Sequence, residues 1–264
     1  MWIRVPRFAA VSAVTTAIVL CVSFAAAEAR GLAPHRAVYS MSLVESRDGT
    51  DIASVVGRLV LEWSGSACDG YVTSQRILNR MGSKQGSGFV SDFRVNSWEA
   101  ADGSDFTFSM IHYVDGSAVE EIEGRATRRP GGADAVFSKP AARTLPLPDA
   151  VVFPTRQVAR MLEAGEAGRR VLATDVFDGS ETGHHFATTA VFGRKAKGAP
   201  TGSEAEAGTA LADLAYWPVQ VSYFDPGNAA GLPDYEVSFR FYANGVSTGL
   251  EMDYGDLVIG ASGC

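Results

Sequence analysis

Trp63-Ser64-Gly65-Ser66-Ala67-Cys68-Asp69-Gly70-Tyr71 decides how the rest of the chain is read. One apolar run, Ile52 to Trp63, enters this stretch and another, Tyr71 to Leu78, leaves it. Aspartate and glycine tolerate the positive φ that tight hairpin turns require. Asp69-Gly70 therefore reads as the turn between two antiparallel strands. Cys68 sits at that turn, and the chain's last residue is Cys264. A bond between them would tie the C-terminus to an early hairpin, with further hairpins strung inside the closed loop.

Toward the N-terminus, Arg4 and Arg7 precede an apolar run from Phe8 to Phe24, followed by Ala25-Ala26-Ala27-Glu28-Ala29. A positive flank, a short apolar core and a small-residue exit compose a secretory signal peptide. Alanine stands at −1 and −3 for cleavage after Ala27 and equally after Ala29. Ser12, Thr15, Thr16 and Ser23 interrupt the run, a poor match to the about 20 apolar residues of a membrane span. Residues 1–27 are thus predicted to be removed, leaving residues 28–264 as a single domain. Cys21 leaves with the signal, and two cysteines in an exported chain read as a disulfide before a metal site or a nucleophile. In the chain-entropy model, closing a loop of about 200 residues contributes roughly 5 kcal/mol.

The formal net charge is −7, and loss of Arg4 and Arg7 makes the exported chain more acidic still. An acidic chain without basic runs is a poor partner for nucleic acid or an anionic membrane surface. Nothing after residue 29 approaches membrane-spanning length, so no stable membrane insertion is expected.

Beyond the opening hairpin the pattern is a meander. Tyr39, Met41 and Leu43 alternate with Ser40 and Ser42, the period of a half-buried strand. Asp48-Gly49, Asp102-Gly103, Asp115-Gly116, Asp178-Gly179 and Asn244-Gly245 punctuate further runs at nearly regular spacing. Leu145-Pro146-Leu147-Pro148 reads as a stiff connector. One helix is predicted, from Arg156 to Ala164, with Val158, Met161 and Leu162 at helical spacing and Thr155 as N-cap. Arg194 to Ala212 reads as a long mobile connection. On the order of a dozen strands exceeds what a flat open sheet accommodates without curling. The expected fold is all-β: an antiparallel spiral or broken barrel, which also hides strand edges.

Chemistry is sparse. His184 and His185 are neighbours on a strand and point to opposite faces, and no H-x-x-x-H pair occurs. No S-x-x-K pair or phosphate-binding loop occurs either. No catalytic residue, metal ligand or cofactor is assigned.

At this point the residues resemble a family, the cell-envelope integrity proteins called EipB. The resemblance is carried by Ala33-Pro34-His35-Arg36-Ala37-Val38-Tyr39, Trp63 with Cys68-Asp69-Gly70-Tyr71, Phe153-Pro154-Thr155 and Phe177-Asp178-Gly179-Ser180. Further along, it continues through Trp217-Pro218-Val219, Ser222-Tyr223-Phe224, Leu232-Pro233 with Tyr235-Glu236, Phe241 to Val246 and Asp253-Tyr254-Gly255-Asp256. Where that family often has a histidine after Phe-Pro-Thr, this chain has Arg156.

The resemblance implies a periplasmic β-spiral with an internal disulfide matching Cys68 and Cys264, and a role in envelope integrity and antibiotic resistance without established catalysis. It also implies a link to periplasmic tetratricopeptide-repeat proteins. A broken cylinder offers strand edges and a concave face on which an extended peptide can add. Trp98, Phe106, Tyr216 and Trp217 are the candidate lining of that groove. The expected partner is thus a periplasmic protein or peptide, with a lipid or lipoprotein carrier and a cell-wall hydrolase as the alternatives.

Overall fold

Alternation and turn chemistry build the sheet almost residue by residue. The computed structural model describes residues 32–200, 208–228 and 231–263. The predicted signal peptide and Cys264 lie outside them. The first half of the chain is a run of hairpins: β1 (His35–Ser46), β2 (Ile52–Ser66), β3 (Gly70–Ser83), β4 (Gly88–Glu99), β5 (Asp105–Val114), β6 (Ser117–Arg129), β7 (Gly132–Lys139) and β8 (Arg143–Leu147). Helix α1 (Pro154–Glu166) follows, then β9 (Val171–Val176), β10 (Phe186–Phe192), the short β11 (Ala196–Lys197) and the single-turn α2 (Gly208–Leu211). The chain closes with β12 (Ala215–Phe224), β13 (Tyr235–Tyr242), β14 (Ser247–Asp253) and β15 (Leu257–Gly263).

All the strands belong to one antiparallel sheet in the order β8-β7-β6-β5-β4-β3-β2-β1-β15-β14-β13-β12-β10-β9, with β11 beside β12. The pairing of β1 with β15, Tyr39 opposite Gly263, joins the two halves. The sheet does not close by a full ladder. Instead the segment after β8 makes one parallel bridge to β9, Val152 with Val176. Val152 donates its N–H to the Asp175 carbonyl at 2.8 Å and accepts from Phe177 N–H at 3.0 Å. Phe177, just past β9, is tucked against Phe106, Phe108 and Phe137 on the inner face of β5 and β7. The two ends of the sheet thus meet through a single bridge rather than a ladder, which leaves the barrel broken open there. This is the all-β, broken-barrel fold the strand count predicts.

The connector is more structured than the sequence indicates. Leu145-Pro146-Leu147 belongs to edge strand β8, opposite Ala135, Asp134 and Ala133 of β7. Pro146 fits there because an edge strand can spare an N–H. Arg128 then fixes the residues that follow: its guanidinium donates to the Asp149 carbonyl at 3.1 Å and to the Val151 carbonyl, and lies over the Phe153 ring.

Helix α1 packs on the inner face of the opposite wall. Met161, Leu162 and Ala164 bury against Phe192, Trp217, Val219, Val221 and Phe241. At its end Gly165 lets the Trp217 indole lie flat on the helix, since a Cβ there would stand 3.0 Å from the ring. A third cluster, around Tyr39, Met41, Leu59 and Ile259, fills the spiral under β1, β2 and β15.

Candidate functional site

Helix α1 begins without a cap of its own. The N-cap position is Phe153, which makes no side-chain capping bond, and Pro154 opens the first turn. Thr155, expected as the N-cap, is the second residue of the helix. Its backbone N–H is instead a group that needs a partner. The partner comes from the last residue of β4: Glu99 accepts the N–H of Thr155 on Oε2 at 2.6 Å and that of Arg156 on Oε1 at 3.0 Å. Glu99 is 3 % exposed. Burial pushes its carboxyl up to about 7, with the two helix N–H bonds pulling the other way. The helix packs on β12 and β13 while its capping carboxylate belongs to β4, so this clasp holds the two walls of the spiral across the interior.

Two cavities flank the clasp. The apolar one, about 230 Å³, lies between the helix and the walls and is lined by Leu61, Trp63, Val158, Met161, Phe239 and Phe241 among others. Trp63 is held in place by stacking on Tyr71 at 4.8 Å. The polar groups at this cavity are few and fixed. His35 shares a hydrogen bond with the Ala33 carbonyl at 2.7 Å. Gln157 donates to the Thr188 hydroxyl at 3.3 Å, which donates in turn to the Thr174 carbonyl at 2.7 Å. Burial raises the Tyr223 phenol far above its ordinary range, offset in part by its bond with Gln157. The polar cavity, about 370 Å³, is lined by Tyr71, Glu99, Arg156, Glu163 and Glu166. Leu32 and Thr155 line both cavities, so they flank one slot running past the first turn of α1.

The four aromatics named as a groove lining are not brought together. Phe106 is in the core beneath β5, stacked on Phe153 at 5.1 Å. Trp217 is buried under α1. Tyr216, on the other face of β12, packs against Tyr242. Trp98 is 36 % exposed on the outside of β4, where its indole N–H donates to the Asp69 carbonyl at 3.2 Å. The slot is built instead by residues that carry no local signal, above all Glu99, whose partners are 56 and 57 residues away. The sequence does contain one hint: a helix opening Phe-Pro-Thr lacks a capping side chain at its start, so the cap has to come from elsewhere.

Cys68 is exposed in the β2–β3 turn. His184 and His185 do not combine: His184 Nδ1 faces Asp225 at 4.0 Å, whereas burial lowers the pKa of His185. Among the described residues no group of three metal-ligating side chains comes together, and no helix is long and apolar enough to cross a membrane.

Comparison with known proteins places this geometry in context. The profile of a family described as EipB-like matches residues 26–262. The cell envelope integrity protein EipB of Brucella abortus (strain 2308) is 36% identical over 232 residues, covering 88% of this chain and 82% of that protein. The crystal structure of a β-barrel-like protein of a domain of unknown function from Brucella abortus superposes with a TM-score of 0.83 at 34% identity, covering 89% of this chain and 97% of that one.

Proposed function

This chain belongs to the EipB-like family, and on that footing we propose that it is a periplasmic protein that maintains cell-envelope integrity by holding a protein or peptide segment on its concave β surface, without catalysing a reaction. Export is assigned to residues 1–27. A periplasmic tetratricopeptide-repeat protein is the partner class that the resemblance supplies.

The observation that carries this reading is the apolar cavity beside the Glu99 clasp. Ligand pockets that enclose a whole small molecule run about 300–1,000 Å³. At about 230 Å³ this one falls short of that and has room for an anchoring side chain or two. Acyl chains need apolar walls along their whole length, and the slot continues past Glu99, Arg156, Glu163 and Glu166, so its lining favours a peptide over a lipid. Gln157, Tyr223, His35 and Asn244 at the cavity add the sparse polar groups that orient a ligand among apolar walls.

The test is to fill the cavity. Val158 lines it and is partly buried on α1. Val158→Phe should leave the thermal midpoint within a few degrees of wild type yet fail to restore detergent and antibiotic resistance to a strain lacking the gene. Full restoration by a stably folded variant would overturn the binding site. Release of soluble fragments from purified peptidoglycan by the wild-type chain would overturn the non-catalytic reading.

A further inference from the structure

Folding gathers arginines that no run of the sequence announces. Tyr39, Met41, Leu59 and Phe106 point inward, so strand alternation sends Arg58 of β2, Arg76 and Arg80 of β3, and Arg94 of β4 to the outer face. The antiparallel register sets them side by side: Val56 stands opposite Arg80, Arg58 opposite Leu78, Leu78 opposite Asp92, and Arg76 opposite Arg94. All four arginines are exposed.

Like charges directly opposite on neighbouring strands are destabilising, and Asp92 is what makes the Arg76–Arg94 pair tolerable. Its carboxylate, 8 % exposed, accepts from Arg76 Nε at 2.9 Å and Nη2 at 2.8 Å, and from Arg94 Nη2 at 2.6 Å. Arg94 also lies 4.8 Å above the Tyr113 ring. Arg58 and Arg80 make no ion pair among the described residues. The patch keeps a net positive charge on a chain whose total is −7.

Its composition discriminates among partners. Every cation is arginine, and between them stand Val56, 68 % exposed, and Leu78, 39 % exposed. Arginine and aromatic groups are enriched in protein–protein interfaces and lysine is depleted. Guanidiniums already held by Asp92 lose little freedom on binding, and their planar forks match carboxylates two-on-two. A bilayer fits less well: the outer side of a curled sheet is convex, so it meets a flat surface along a strip, and the acidic remainder of the chain is repelled by anionic lipid.

We infer that the outer face of β2, β3 and β4 docks a protein partner through clustered carboxylates on that partner. Leu61, Trp63 and Thr73, on the inner side of the same strands, line the apolar cavity. The two surfaces are therefore back to back and can be occupied together.

Poly-L-glutamate and phosphatidylglycerol vesicles are the probes, used with the whole exported chain. The wild type should bind poly-L-glutamate at low salt, and the Arg58→Glu/Arg80→Glu double variant should bind at least tenfold more weakly with an unchanged thermal midpoint. Absence of binding, equal binding by the double variant, or a preference for the vesicles would overturn the inference. In cells, a photo-crosslinker at position 78 should give a protein adduct that the double variant loses. A lipid adduct, or a protein adduct indifferent to the charge reversal, would overturn it equally.

Discussion

Glu99 Oε2 accepts the backbone N–H of Thr155 at 2.6 Å, a bond across 56 residues that joins the end of β4 to the first turn of α1. A helix N-terminus carries about half a positive charge, and here the carboxyl group that caps it is supplied by tertiary structure. The helix spans the interior of the spiral, so the clasp sets the width of the slot as well as the start of the helix.

Removing the clasp should loosen the fold measurably. Glu99→Ala leaves the N–H groups of Thr155 and Arg156 without their acceptor in a buried place. Losing a cap costs about 0.5–2 kcal/mol, and a buried unsatisfied donor costs about 1–3 kcal/mol. The expected loss is about 1–3 kcal/mol in urea unfolding, with amide exchange increased in the first turn of α1. A variant as stable as wild type, with that turn still protected, would show the helix start satisfied without the carboxylate.

The same residue gives stability a pH dependence of definite sign. Burial raises the Glu99 carboxyl from an ordinary 4.5 to about 7, so between those values the folded chain binds more protons than the unfolded one. Its contribution is complete below about pH 4.5 and is lost as pH rises through about 7, amounting to about 3 kcal/mol. Arginine-paired carboxylates such as Asp92, held below their ordinary range, act at lower pH and in the opposite sense. Unfolding free energies of wild type and Glu99→Gln should therefore diverge between pH 5 and pH 8, with wild type losing more as pH rises. Parallel curves over that interval would contradict the buried, proton-holding carboxyl.

Hairpins were legible in the sequence because their causes are local. Asp48-Gly49, Asp69-Gly70, Asp102-Gly103 and Asp115-Gly116 each form a turn, and each glycine has positive φ. The helix was legible from the spacing of Val158, Met161 and Leu162, and they do pack inward. What escaped depends on distance. Strand β7 begins Gly-Ala-Asp-Ala, with side chains too small to signal a strand, yet Ala133 and Ala135 are fully buried because neighbouring phenylalanines fill the space. The cap on α1 comes from β4. An aromatic residue in an alternating run announces burial but not its neighbours, so Phe106 and Trp217 belong to separate cores and Trp98 to the outer face. The arginine patch is invisible for the same reason, being one or two residues from each of three strands.

The Asp178-Gly179 turn should be intolerant of any side chain. Gly179 has φ +75°, and an added Cβ would stand 2.4 Å from the Phe108 ring. The turn carries Phe177 into the β5–β7 core. Backbone strain of about 1–3 kcal/mol and overpacking of about 1–3 kcal/mol combine in Gly179→Ala. We expect a loss of about 2–4 kcal/mol in urea unfolding, whereas Gly183→Ala, with nothing near its would-be Cβ, should be close to neutral. Equal stability of the two variants would show that the turn is not pinned on Phe108.

The proposed Cys68–Cys264 bond makes a demand on β15 that can be measured. That strand runs toward the end of the sheet where the β2–β3 turn carries Cys68, and Gly263 pairs with Tyr39, itself opposite Leu59. From Leu59 to the turn at Ser66 is seven strand residues, about 23 Å at a rise of about 3.3 Å each, whereas bonded cysteines have Cα atoms about 4.4–6.8 Å apart. The bond can therefore form only if the end of β15 leaves β1 and swings across β2 toward the turn. Mass spectrometry of the exported protein under non-reducing conditions should find no free thiol. Hydrogen exchange should then find the Tyr39–Gly263 end of the ladder unprotected in the oxidised form and protected after reduction. Two free thiols would reject the bond, and an oxidised chain with that ladder end fully protected would reject the peeling that this register requires.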